Sequence, residues 1–189
     1  MPQRVCPIWM GYLLANPLRK LLQNPFEILR PFVRPGMTVL DVGCAMGFFS
    51  LPMAELVGTS GKAVCVDMQE GMLRALRRRA QKAGVAECIE ARRCTADSLM
   101  LDDLAGAVDF ALAFAVVHEV PDDERLYRDL AAALKPSAKL LMAEPRGHVP
   151  FRNFKASVER AEKTGFRTAD APVIRGSHAA LMSLQPAAR

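Results

Sequence analysis

Apolar residues follow two alternating rhythms along most of the chain. Residues 38–42, 62–66, 88–92 and 139–143 are short β-rich runs, and residues 109–116 are almost wholly apolar. A run apolar on every position suits a strand covered on both faces of a parallel sheet. Between these runs the spacing changes to that of helices. Met72, Leu73, Leu76 and Ala80 mark one face of a helix over 70–83 that Gly84 ends. Leu126, Leu130 and Leu134 mark another over 122–134, stopped by Pro136, and 46–57 reads as a third, stopped by Gly58. The tail predicts a helix over 151–163 with Phe151, Phe154, Val158 and Ala161 on one face. Two strands follow, 166–171 and 178–184, joined through Arg175-Gly176. Alternating strands and helices give a doubly wound α/β sheet.

The first 36 residues stand outside this alternation. Asn16-Pro17 and Asn24-Pro25 each put an N-cap before a proline that has no N–H to leave unpaired. Glu27 can close a capping box with Asn24. They predict short helices over 17–23 and 25–33, closed by Pro35-Gly36. We therefore divide the chain into a helical arm, 1–36, and an α/β domain, 37–189. The arm holds Trp9, Tyr12 and Leu13 and is the candidate lid.

Composition narrows the class. The chain has 189 residues, 51% hydrophobic and 24% charged, enough for one ordinary globular core. The longest apolar run, 110–117, is too short to span a bilayer. The five cysteines are odd in number and form no C-x-x-C pair, which argues against a zinc site or a disulfide framework and for a reducing cytoplasm. The net charge is +5. Its densest cluster, Arg74, Arg77, Arg78, Arg79 and Lys82, reads as a solvated helix face, since no aromatic interleaves with it as in nucleic-acid footprints.

The chemistry concentrates in Val39-Leu40-Asp41-Val42-Gly43-Cys44-Ala45-Met46-Gly47. A strand enters a glycine turn, where backbone can approach a ligand closely. A dinucleotide fingerprint requires a third glycine where Phe48 stands, and Asp41 would repel a pyrophosphate. A nucleotide-linked oxidoreductase is thereby disfavoured, whereas a ligand bearing ammonium or sulfonium is favoured. Asp67 ends the second strand, where a carboxylate can accept both hydroxyls of a ribose.

With V-L-D-V-G-C-x-x-G, V-C-V-D, V-V-H-E-V-P-D and L-K-P-S-A-K-L-L-M-A-E-P in this order, the chain resembles the class I S-adenosylmethionine-dependent methyltransferases, in their small-molecule, ubiquinone-biosynthesis-like branch. The resemblance implies a seven-stranded Rossmann-like sheet, mostly parallel with an antiparallel C-terminal strand. It implies S-adenosylmethionine as cofactor and S-adenosylhomocysteine as product. It places Asp41, Gly43, Cys44, Ala45 and Met46 at the methionyl part, Asp67 on the ribose and Met68 near the adenine. Thr95 and Ala96, or Asp97 in a slipped register, stand at the adenine. Ala113 and Phe114 stand at the end of the fourth strand. Ala45 departs from the family's usual glycine, and at positive φ alanine costs about 1 kcal/mol or more.

Residues beyond the strand ends include His118, Glu119, Glu144 and His148. His118 is the best general-base candidate because histidine titrates near neutrality. His148 is a weaker candidate, because Gly147 and Pro150 beside it suggest a mobile turn. The plainer reading of Glu119 is a local cap or pair and of Glu144 the ordering of the loop around Arg146, and His178 is given no role. The loop after the fourth strand lacks the N/D-P-P-Y/F tetrapeptide of enzymes that methylate planar nitrogens. A small-molecule acceptor is therefore expected, with RNA, protein, or a thiol or arsenic compound as alternatives. A cofactor-binding module without catalysis is a further alternative. The oligomeric state is not legible.

Overall fold

Asn24 caps the first helix of the computed structural model, which describes residues 23–185. Its Oδ1 accepts the Phe26 N–H at 3.1 Å, so the N-cap forms, but Glu27 accepts from the Asn24 side-chain Nδ2 at 3.2 Å rather than from its backbone N–H, so the pair stops short of the reciprocal capping box. This helix, α1, covers only Pro25–Leu29, not 25–33. Pro31 has no N–H to offer Glu27's carbonyl, and the chain tightens instead, with Phe32 and Val33 both donating to Leu29 O. The helix expected over 17–23 and most of the arm lie outside the described residues.

The elements that follow are β1 (Thr38–Val42), α2 (Ser50–Val57), β2 (Lys62–Asp67), α3 (Glu70–Ala83) and β3 (Ile89–Arg93). They continue with β4 (Val108–Phe114), α4 (Asp123–Ala133), β5 (Leu134–Pro145), α5 (Phe151–Lys163), β6 (Phe166–Asp170) and β7 (Ser177–Leu184). The seven strands form one mixed sheet in the order β3-β2-β1-β4-β5-β7-β6. The chain divides into two compact units at Cys94/Thr95.

In the first unit β1, β2 and β3 are parallel neighbours, with Asp41 opposite Cys65 and Asp67 opposite Arg93. All of β2 beyond Lys62 is buried. The amphipathic α3 buries Met72, Leu73, Ala75, Leu76 and Ala80 and ends at Gly84, whose left-handed conformation lets its N–H close on Ala80 O. The helix expected from residue 46 begins only at Ser50. Gly43, Ala45 and Gly47 all have positive φ, which no right-handed helix accommodates, so 43–49 is a chain of turns.

In the second unit β4 runs parallel to β5, and β7 is antiparallel to both β5 and β6. Pro136 does not stop α4, which ends three residues earlier. It lies inside β5, where the pairing jumps from Val108↔Leu134 to Phe110↔Lys139. The intervening residues bulge out, with Ser137 at φ 64°, so the missing proline N–H removes no ladder bond. Tyr127 on α4, fully buried, meets Ser157 of α5 at 2.7 Å; Ser157 and Arg160 both donate to Asp123 at 2.6 Å, which locks the two helices together. No helix among the described residues is long and apolar enough to cross a membrane.

Candidate functional site

The turn after β1 is pinned from below. Gly43 and Cys44 both donate to the carbonyl of Val66, at 2.9 and 3.0 Å, and Ala45 donates to Asp67 Oδ2 at 2.9 Å. Ala45 makes that last bond at φ 46°. Asp67 Oδ1 accepts the Gln69 N–H at 2.8 Å. Each oxygen of this carboxylate thus holds one backbone donor and retains capacity for another. Burial raises the Asp67 pKa, and the two backbone hydrogen bonds work against that rise.

Asp41 is 3% exposed, and its Oδ2 accepts the Ser50 hydroxyl at 2.5 Å. Burial is the main reason its pKa is pushed up to about 7; the Ser50 bond opposes this and the charge on Asp67 adds to it. Gly47 is fixed chiefly by φ 84°; a Cβ there would sit 2.3 Å from Leu76 Cδ1, the end of a side chain that would have to shift. Met46 is buried with Met72 and Ala75, Ala45 packs on that cluster, and Arg79 donates to Met46 O. Cys44 is buried, and burial holds its thiol well above the ordinary value; burial likewise pushes Cys94 up to about 11. Met68 is half-buried, with Arg93 donating to its carbonyl at 3.2 Å.

In the second unit Thr95 is exposed and half-buried Ala96 follows it; the Thr95 hydroxyl accepts the Ser98 N–H at 3.1 Å in a tight turn. Ala113 and Phe114 are buried at the end of β4. Ala115, at φ 56°, turns the chain into a short 3-10 segment, Val117–Glu119. There the backbone N–H groups of Val117 and His118 donate to Glu144 Oε1 at 2.8 and 3.3 Å. His118 Nδ1 lies 2.6 Å from Glu144 Oε2. His118 is exposed mainly through its backbone; its side chain is 20% exposed and that of Glu144 3%. The hydrogen bond to Glu144 raises the His118 pKa, burial opposes this, and the charges on Glu144 and Glu119 add to it.

Residues 34–173 match the family described as a methyltransferase domain. The chain belongs to this methyltransferase family. It is 31% identical over 135 residues to the ubiquinone/menaquinone biosynthesis C-methyltransferase UbiE of Escherichia coli (strain K12 / DH10B), covering 71% of this chain and 53% of that protein. The chain therefore spans about half the length of the curated relatives it matches. Its fold is that of a solved S-adenosylmethionine-dependent methyltransferase from Aquifex aeolicus, with TM-score 0.83, 23% identity, and 95% and 98% of the two chains covered. The [4+2]-cyclase SpnF shares the fold at TM-score 0.73 and 16% identity, over 87% of this chain and 82% of that one. Membership, rather than fold, is what places the chain among methyltransferase domains.

This methyltransferase-family chain has groups that fit the implied cofactor. An ammonium beside Asp41 would restore the charge that burial suppresses, and the spare acceptor sites of Asp67 suit two ribose hydroxyls. One expectation needs correction. Glu144 does not order the loop around Arg146, whose Nε donates to Ser177 O at 2.9 Å; it holds His118. His148 lies in a turn, with its ring 4.8 Å from that of His118, nearly edge to face. His178 packs against Phe151 and Phe154 at 5.2 and 5.5 Å. Sequence reasoning missed Ser50 as the partner of Asp41, because a serine nine residues on points nowhere until the 43–49 turns fold it back. It also missed Arg79, whose period on α3 marked it as a surface residue.

Proposed function

We propose that this chain transfers a methyl group from S-adenosylmethionine to a small-molecule acceptor in the cytoplasm. The observation that carries the proposal is the pair of buried carboxylates at the carboxyl ends of the parallel neighbours β1 and β2. Asp41 is pushed up to about 7 and Asp67 keeps open acceptor positions. Such a pair is costly to bury and suits a ligand with one cation and two hydroxyls. S-adenosylmethionine supplies a methyl carbon already activated by a positive sulfur.

The chain's own residues then bind and orient. Asp41 and the backbone of Gly43, Cys44, Ala45 and Met46 hold the methionyl end, Asp67 the ribose, and Met68, Thr95 and Ala96 the adenine. Ala113 and Phe114 offer the end of β4. His118 accepts a proton from an acceptor that carries one. The arm, 1–36, is the lid over the domain formed by 37–189. A small-molecule acceptor, not a nucleic acid, is favoured by Ala115-Val116-Val117-His118 after β4, which has none of the residues expected for a planar-nitrogen substrate.

Isothermal calorimetry with S-adenosylhomocysteine tests this reading. The wild-type chain is expected to bind it, and Asp67→Ala to bind at least tenfold more weakly, since a charge-assisted hydrogen bond contributes about 1.5–3 kcal/mol. No binding by the wild type, or equal binding by a folded Asp67→Ala, rejects it.

A further inference from the structure

Glu144 is 2% exposed, and three donors hold it. Val117 N–H and His118 N–H fix Oε1, and Oε2 faces His118 Nδ1 at 2.6 Å. Burying a carboxylate is unfavourable by several kcal/mol unless such donors surround it. They come here from one turn, so the carboxylate cannot rotate without losing two backbone bonds.

We infer that Glu144 is a positioning residue that accepts a hydrogen bond from His118 Nδ1–H, keeping the proton on Nδ1, and so leaves Nε2 bare to take a proton from the methyl acceptor. The inference rests on the methyl-transfer reading above. A carboxylate accepts and cannot donate, so it selects the Nδ1–H form of the neutral imidazole. The His148 ring, 4.8 Å away and tilted 68°, restricts swinging of the His118 ring. Proton and electrons balance as follows. The acceptor's electron pair forms the bond to the methyl carbon, the carbon–sulfur pair stays on sulfur and cancels its positive charge, and the acceptor's proton passes to Nε2. The imidazolium then lies against Glu144. Such a pair suits an acceptor that loses a proton, a hydroxyl or an acidic C–H, and is superfluous for a thioether or a tertiary amine.

The groups facing the imidazole are Glu144 from β5, Glu119 from its own turn and His148 from the turn after β5. The two carboxylates favour the imidazolium, so proton acceptance is competent only above a midpoint raised beyond 6.5.

Long-range proton–nitrogen NMR on the full 15N-labelled chain, with His118→Asn for assignment, tests the pairing without any ligand. Above its midpoint, His118 should have its proton on Nδ1. Glu144→Gln should shift the midpoint to lower pH while S-adenosylhomocysteine affinity stays within about twofold. Diethyl pyrocarbonate should modify His118, read by mass spectrometry, with a rate rising through the wild-type midpoint. A wild-type proton on Nε2, a midpoint unmoved in folded Glu144→Gln, or an unreactive His118 beside a modified His148 overturns the inference. Should Glu144→Gln not fold, the wild-type tautomer and reactivity still decide. Failure of the wild type to bind S-adenosylhomocysteine would instead reject the methyl-transfer reading, and the tautomer result reports separately.

Discussion

Replacing Asp41 by Asn should make the ligand-free protein more stable at pH 8 and a poorer binder of S-adenosylhomocysteine. The two effects have one origin. Asp41 is 3% exposed, and its pKa rises from 3.8 to about 7 on folding. Below pH 3.8 the carboxyl is protonated in both states and folding loses nothing. Between 3.8 and about 7 the folded chain keeps a proton that the unfolded chain releases, so stability falls by about 1.4 kcal/mol per pH unit. Above about 7 the loss levels off, on the order of 4 kcal/mol in total. Asn has the same shape and no charge to bury. Asp41→Asn should therefore gain up to a few kcal/mol at pH 8, reduced by the weaker bond to Ser50, and almost nothing at pH 4. Binding moves the other way, because the ligand's ammonium loses its counter-charge. The lost charge-assisted bond, about 1.5–3 kcal/mol, corresponds to a tenfold or greater loss of affinity. Wild-type binding below pH 7 should also release a proton, visible as a dependence of calorimetric heat on buffer ionisation enthalpy. Urea denaturation of both chains at pH 4 and pH 8, with calorimetry at pH 6 and pH 8, is the assay. A variant less stable than wild type by more than about 1 kcal/mol at pH 8, or one with unchanged affinity, would refute the reasoning.

Two other perturbations probe the loop and the arm. Ala45→Gly removes the Cβ from a residue held at φ 46°, where alanine costs about 1–2 kcal/mol; S-adenosylhomocysteine affinity should stay unchanged or tighten, and a clear loss by calorimetry would mean that the alanine methyl itself packs on the ligand. Deleting residues 1–15 should leave the sheet folded by circular dichroism and affinity within about tenfold, since a lid contributes little uniform binding; an unfolded product would show that the arm plugs the core instead.

Much of the architecture was legible in the residues. The bounds expected for 70–83 and 151–163 match α3 and α5 to the residue; the buried stripe of α3 is the one its period marked, whereas on α5 Phe154 and Ala161 are buried, Phe151 is 62% exposed and Ser157 takes the inner place. The apolar run around 110–114 marked a strand covered on both sides. Glycine and proline were less reliable guides. Pro136 reads as a helix stop, yet it occupies a bulge, since only the register with β4 decides which β5 residues need an N–H. The start of α2 was misplaced by four residues for a related reason. Alanine at 45 carries no sign of positive φ in its own kind, only in its place at the family's usual glycine; in the fold it sits at φ 46° with its N–H on an Asp67 carboxylate 22 residues away.

The site divides along the same line. Asp41, Gly43, Asp67 and His118 could be singled out from the sequence because their kinds and their places at strand ends are local properties. What each can do was decided only in three dimensions. Asp41 titrates near neutrality because the fold removes its water and leaves it a single hydroxyl, Ser50. His118 differs from His148 because β5 brings Glu144 beneath one of them, 26 residues on in sequence and 2.6 Å away in space. Residue identity determines which protons and charges the chain possesses. Burial and contact determine their free energies, and these depend on neighbours that no local pattern encodes.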